Sequence, residues 1–152
     1  MMPIANYTTT KNVDETAGEI IEALRRRGIT RIATTYDDDG EPSGLEFSMR
    51  TPYGVRHFAL PVRTDGVQAA LERAEAAGEF AASKRRAGTF TSREHAARVA
   101  WAIARDWLRA QSALLDAELV TLDEVMFPWM VGGVDGATAF ETYRSQQKAI
   151  ES

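Results

Sequence analysis

Apolar residues recur every three to four positions over the first part of the chain, a spacing typical of an amphipathic helix. Asn12 precedes this stretch and Glu15 follows three residues later, which is the pattern of an N-terminal capping box. Arginines at 25–27 fall in the last turn, where positive charge complements the helix dipole, and Gly28 can end the helix. The arginine triplet therefore has a structural explanation that needs no ligand. The apolar stripe consists of Val13, Ala17, Ile20, Ile21 and Leu24.

The apolar period then changes to two, which is typical of strands that bury one face. Alternating stretches at 29–36, 43–50 and 55–62 predict three strands. They are joined by Asp37-Asp38-Asp39-Gly40 and Thr51-Pro52-Tyr53-Gly54, both of which have the composition of tight turns. Consecutive strands with such short connections form an antiparallel meander with one apolar and one polar face.

Helical spacing returns in the second half of the chain. A short helix is predicted to start near Asp65 and end at Gly78. The longest stretch without Gly or Pro runs from Thr91 to Leu119, and Thr91 with Glu94 forms a capping box. Its apolar positions are three or four residues apart, as in a coiled-coil seam, so we predict a homo-oligomer. The seam consists of Val99, Ile103, Trp107, Ala110, Leu114 and Ala117.

A third capping box, Thr121 with Glu124, precedes a short apolar helix predicted at 125–131, and a final helix is predicted at 139–150. The resulting order has no strand–helix–strand crossover. We therefore predict an α+β fold, in which an N-terminal helix and a three-stranded antiparallel meander precede three to four helices, including one long central helix.

The length of the chain fits one domain. We expect residues 1–152 to form a single domain, with the N-terminal helix and the sheet in residues 12–63 and the helical part in residues 64–152. The absence of cysteine excludes disulfides, thiolate nucleophiles and iron–sulfur ligation. The first residues lack the apolar core of a signal peptide, and no apolar run approaches the length of a membrane span. We expect a cytoplasmic protein that does not bind membranes.

The motifs of nucleophilic, metal-dependent and nucleotide-dependent catalysis are not found. His57 and His95 belong to no recognisable motif. In the acidic turn at 37–41 the glycine is in fourth place rather than in the sixth place of a calcium loop. We therefore predict a protein without catalytic residues, without a cofactor and without a bound metal.

Positive charge is concentrated in one segment, although the net charge is only −4. Residues 84–109 hold seven basic and two acidic side chains, whereas the segments before and after are both acidic. On the long helix, Arg98, Trp101, Arg105 and Arg109 are three or four residues apart and share one face. Guanidinium groups beside an indole can hold phosphates and stack on a base. The predicted ligand-binding set also includes Lys84, Arg85 and Arg86 in the preceding loop.

A competing interpretation of this face is structural and needs no ligand. Trp101 can belong to the core or to an oligomer seam, with the stems of the arginines along it and their charged groups in water.

Three segments in the second half of the chain together form a recognisable set of sequence motifs. They are the arginine- and tryptophan-rich run 98–111, the phenylalanine-proline-aromatic turn in 122–131, and Asp135-Gly136-Ala137-Thr138. Together with Thr8-Thr9-Thr10 and Leu60-Pro61, they give a chain that resembles a family of small phage and prophage proteins. The resemblance implies a phage-derived accessory protein and no particular chemistry.

The leading hypothesis is a non-enzymatic phage accessory protein that binds a polyanion, either nucleic acid or a nucleotide, through the basic and aromatic helix face. The alternative is an oligomeric interaction module that binds or inhibits a host protein, with exposed Phe127, Trp129 and Met130 as the interacting residues. A third hypothesis is an enzyme that uses His57 on the polar face of the sheet. Loss of binding at high salt would favour the polyanion hypothesis. Binding to a protein partner with little salt dependence would favour the interaction module.

Overall fold

The computed structural model describes residues 3–81, 88–132 and 135–151. The first half contains α1 (Val13–Arg25), β1 (Arg31–Tyr36), β2 (Pro42–Thr51), β3 (Gly54–Pro61) and α2 (Asp65–Ala76). The second half contains α3 (Arg93–Asp116), α4 (Leu122–Met126), a 3-10 turn (Phe127–Trp129), β4 (Met130–Val131) and α5 (Ala139–Glu151). This is an α+β fold, and the predicted N-terminal helix, antiparallel meander and long helix are confirmed. None of the helices in these ranges is both long and apolar enough to cross a membrane.

Two details differ from the prediction. The long helix begins at Arg93, and its cap is Ser92, whose Oγ accepts a hydrogen bond from the His95 amide at 3.1 Å. The apolar run at 125–131 is only partly helical, because it continues from α4 into the 3-10 turn and then into β4. Pro128 has no N–H group to donate and therefore cannot extend an α-helix. Apolar composition alone does not distinguish these conformations.

The chain forms two compact units, and each is built from two separate stretches. One unit comprises Met1–Glu22 and Val62–Arg109, and the other comprises Ala23–Pro61 and Ala110–Ser152. The prediction that residues 1–152 form a single domain stays a prediction.

The first unit has a helical core. Leu71, Ala96 and Val99 are fully buried at its centre. His95 is also buried, and its Nε2 donates to the Tyr7 carbonyl oxygen at 2.6 Å. This histidine therefore has a structural role. The surrounding partly buried side chains are Ile4, Tyr7, Val67, Phe80 and Ile103.

The second unit contains the sheet, with strand order β1-β2-β3-β4 and antiparallel pairing throughout. Its inner face buries two cross-strand pairs, Leu45 with Leu60 and Phe47 with Phe58. The two phenylalanine rings stack with their centroids 5.3 Å apart. The alternate residues form the opposite face, which we call the open face.

The acidic turn between β1 and β2 is closed by its own first residue. One carboxylate oxygen of Asp37 accepts hydrogen bonds from the amides of Asp39 at 3.0 Å and Glu41 at 2.9 Å. This is the local hydrogen bonding that favours aspartate in turns. The first acidic residue of the turn, Asp37, is thus explained by turn formation.

Candidate functional site

The predicted basic face of α3 surrounds a buried tryptophan. Trp101 has 0% of its surface exposed, so its indole offers no face on which a base could stack. Arg98 is partly exposed, and its Nη1 donates to Glu94 at 3.0 Å across one helical turn. The structure therefore brings the predicted residues onto one helix but does not expose the aromatic one.

Arg105 and Arg109 converge on a single carboxylate from α1. The Glu19 Oε2 atom lies 3.5 Å from Arg105 Nη1 and 3.3 Å from Arg109 Nη2, while Oε1 accepts a hydrogen bond from Lys11. The hydrogen bond from Lys11 is the main cause that lowers the pKa of Glu19, and the charges of Lys11, Arg105 and Arg109 add to it. Three cations thus share one acid, and part of their charge is neutralised.

Asp106 supplies a second acid to the same network. Its carboxylate accepts hydrogen bonds from Asn6 Nδ2 at 2.8 Å and from Arg105 Nε at 3.1 Å. These contacts lower the pKa of Asp106, with the hydrogen bond from Asn6 as the largest cause and Arg105 next. Arg105 is consequently held between two acids, with only 13% of its side chain exposed.

The polyanion hypothesis receives no support from these contacts. The three arginines have acidic partners, and Trp101 is buried. Lys84, Arg85 and Arg86 lie outside the described residues. Binding of a polyanion by this segment stays a prediction.

A cleft of about 600 Å³ lies beside the turn that joins β2 and β3. Two of its lining side chains are strongly exposed aromatics, Tyr53 at 80% and Phe127 at 56%. Met130 also lines it, whereas Trp129 does not. Both are half-buried, so the predicted exposure is wrong for these two residues and confirmed for Phe127 alone. Two of the three predicted interaction residues therefore meet in one place. We call this the aromatic cleft, and its lining residues are Thr51, Tyr53, Arg56, Asp123, Glu124, Phe127 and Met130.

Both walls of the aromatic cleft are fixed by local hydrogen bonds. On one wall, Thr51 Oγ1 donates to the Gly54 carbonyl at 2.8 Å and accepts from the Tyr53 amide at 3.1 Å. On the other, Thr121 and Glu124 form the predicted capping box at the start of α4, which is confirmed. The two aromatic side chains thus stand on segments whose backbone is hydrogen-bonded locally.

The charged side chains that line the aromatic cleft differ in their hydrogen-bond partners. The Glu124 carboxylate is used by the capping box, and Arg56 Nη1 donates to the Val55 carbonyl at 3.0 Å. The half-buried Asp123 side chain has no hydrogen-bond or ionic partner within residues 3–81, 88–132 and 135–151. The cleft therefore combines three large apolar or aromatic side chains with two carboxylates and one guanidinium, a net charge of −1.

A second cavity, of about 460 Å³, lies on the open face of the sheet. Cross-strand pairing places Arg31, Ser48, His57 and Val131 opposite one another on four adjacent strands. Ser48 Oγ and His57 Nδ1 are 2.6 Å apart. We call this the open-face cavity, and its polar lining side chains are Arg31, Glu46, Ser48 and His57.

Sequence reasoning singled out His57 but missed Arg31, Glu46 and Ser48. Alternation places each of these residues on the polar face of its own strand, but it does not show which residues are neighbours across strands. That depends on the register, which is set by the turns. The Ser48–His57 pair has no third member, because no carboxylate contacts the imidazole in the described part of the chain. It therefore lacks the orienting acid of a catalytic triad.

Within the described ranges, no group of three histidine, aspartate or glutamate side chains is arranged to hold a metal ion. No family model, no curated protein and no solved structure matches the chain. The resemblance to phage and prophage proteins stays a prediction.

Proposed function

We propose that this protein is a non-catalytic interaction module that captures a segment of another protein in the aromatic cleft. The observation that carries the proposal is that Tyr53 and Phe127, both strongly exposed, line the same cleft of about 600 Å³. Exposed aromatic side chains clustered at a concave site are the usual anchors of protein interfaces. If the chain is a phage accessory protein, its partner is a protein of the host.

The chemistry of the aromatic cleft defines the partner segment. Its lining side chains Tyr53, Phe127 and Met130 suit a large aliphatic or aromatic side chain. The two carboxylates, Asp123 and Glu124, outnumber the one guanidinium, Arg56, and this excess of negative charge favours a lysine or arginine next to that side chain. The partner is thus a segment with a bulky apolar residue beside a basic one.

The proposal is tested by selecting binders from a random peptide library against the full chain. We expect the selected peptides to share a bulky apolar residue next to Lys or Arg. Phe127→Ala and Tyr53→Ala should each weaken binding by about tenfold or more, because each removes an anchor. Asp123→Asn should weaken binding less and should remove most of its salt dependence.

Two exposed aromatics outside the cleft provide matched controls. Phe140→Ala and Tyr36→Ala remove side chains of similar exposure that do not line the cleft. Both should bind the selected peptides like the wild type. Peptides without a common pattern, or equal losses in the controls and the cleft variants, would show that the aromatic cleft is not the binding site.

A further inference from the structure

The open-face cavity holds two opposite charges that do not neutralise each other. Arg31 and Glu46 both line it, yet no contact within 4.0 Å joins them. Neither side chain has an ionic partner elsewhere in residues 3–81, 88–132 and 135–151. Opposite charges in one cavity that remain apart can each receive a complementary group of the same ligand.

The positions of these charges follow from the sheet register. Arg31, Ser48 and His57 lie in one row across the strands, and Glu46 lies in the next row between Ala33 and Ala59. Rows on the same face are two residues apart, which is about 7 Å. Because alanine side chains are short, they leave room on both sides of Glu46.

The side chains of the first row, Arg31, Ser48 and His57, can each donate a hydrogen bond. Ser48 is bonded to Nδ1 of His57, so it orients the ring and leaves Nε2 for other partners. In the neutral ring that accepts at Nδ1, Nε2 carries the proton and donates. Arg31 adds a guanidinium group at the other end of the row, and this group suits the oxygens of an acid.

We propose that the open-face cavity binds a small zwitterion, a molecule that carries an acidic group and an amine. The acid lies over Ser48, between Arg31 and the Nε2 atom of His57, and the amine contacts Glu46. The spacing of the two rows, about 7 Å, favours a flexible chain between the two ends over an α-amino acid. This site is separate from the aromatic cleft and does not depend on the proposed function.

The test uses a series of ω-amino acids from glycine to 6-aminohexanoate as probes, with binding followed by NMR of the histidine ring signals. His57 lies in the cavity, and His95 is buried elsewhere, so the second signal reports whether each variant is folded. We expect 5-aminopentanoate to shift the His57 signal in a saturable way. Pentanoate, which lacks the amine, and pentylamine, which lacks the acid, should bind about tenfold more weakly.

Substitutions show which side chain binds each end of the ligand. Glu46→Gln should reduce the affinity for 5-aminopentanoate to that for pentanoate, while the affinity for pentanoate stays unchanged or rises. Arg31→Gln should weaken binding of both acids. Arg50→Gln is the matched control, because Arg50 is exposed on the same face but does not line the cavity. Equal binding of pentanoate and 5-aminopentanoate, no effect of Glu46→Gln, or no shift of His57 with any probe would overturn the proposal.

Discussion

At the scale of single residues, the basic stretch of α3 shows what helical spacing does and does not determine. Spacing correctly places Arg98, Trp101, Arg105 and Arg109 near one another on a helix. It does not determine which of them face the interior, and Trp101 is fully buried. The acids that pair with Arg105 come from α1 and from the neighbouring residue of α3 itself. Glu19 and Arg105 are 86 residues apart in the sequence, so their contact could not be found from local patterns.

Glu19 is the residue whose replacement tests this network most directly. Glu19→Gln keeps the size of the side chain and removes the charge shared by Lys11, Arg105 and Arg109. We expect the free energy of unfolding near pH 7 to fall by about 1 kcal/mol, because partly exposed ion pairs each contribute little. Urea denaturation of the wild type and the variant measures this difference.

The pH dependence of the same difference follows from the pKa. The folded-state pKa of Glu19 lies below its ordinary value of 4.5. The stabilisation is therefore complete above the unfolded-state pKa and is lost as pH falls through the lower folded-state pKa. The curves for the wild type and Glu19→Gln should converge in acid, once the pH has fallen below the folded-state pKa of Glu19. Glu72→Gln, an exposed position without an ion pair in the described part of the chain, should show no such change, and a difference that persists in acid would contradict the assignment.

At the scale of elements, alternation and the caps of α1 and α4 are confirmed because they depend on residues close in sequence, whereas the predicted Thr91 cap of α3 is wrong by one residue and is Ser92 instead. Asn12 caps α1 as predicted, since its Oδ1 accepts from the Glu15 amide at 2.8 Å. The inward positions of Phe58 and Leu60 follow from alternation alone. By contrast, β4 has two residues and forms only where β3 offers a pairing partner. The open-face cavity depends on the same cross-strand register, so its residues could not be grouped from the sequence.

Gly44 shows how closely the paired strands approach. A methyl group on this residue would lie 2.5 Å from the Leu60 carbonyl oxygen and 3.3 Å from the Pro61 Cα atom, both of which belong to backbone. We expect Gly44→Ala to lower the free energy of unfolding by about 2 kcal/mol, because β2 and β3 must separate to relieve the overlap. Thermal denaturation monitored by circular dichroism measures the loss. Gly66→Ala on α2 meets no atom within 4 Å and should cause no loss, so an equal effect at both positions would contradict this explanation.

At the scale of the whole molecule, the candidate sites and the ion-pair network belong to different compact units. The aromatic cleft and the open-face cavity both lie in the unit formed by Ala23–Pro61 and Ala110–Ser152. The network of Glu19, Arg105 and Asp106 lies in the other unit. Because these groups share no partners, their effects on stability and binding should add. Glu19→Gln is therefore expected to leave peptide binding at the aromatic cleft unchanged under conditions where the variant is folded.

The homo-oligomer stays a prediction, and we expect its contact to use the exposed end of the long helix. In the seam described above, Val99 is buried, whereas Leu114 is 38% exposed and the alanines at 110 and 117 are exposed. Arg27 contacts the Ser112 carbonyl and Asp116. Two residues correspond to about 200° around a helix, so Leu114 lies on the side opposite these contacts. The last turns of α3 therefore present the part of the seam that a second copy can cover.

Light scattering measures the predicted assembly directly. We expect the wild type to have a mass that is a multiple of 16.8 kDa. Leu114→Glu should lower it to that of one chain, because a charge at the centre of an apolar seam must be desolvated when two helices pack. Ile150→Glu, at a more exposed aliphatic residue on α5, is the control and should keep the mass of the wild type. A wild-type mass of one chain at all concentrations would refute the oligomer, and a loss of mass in both variants would place the contact outside the seam.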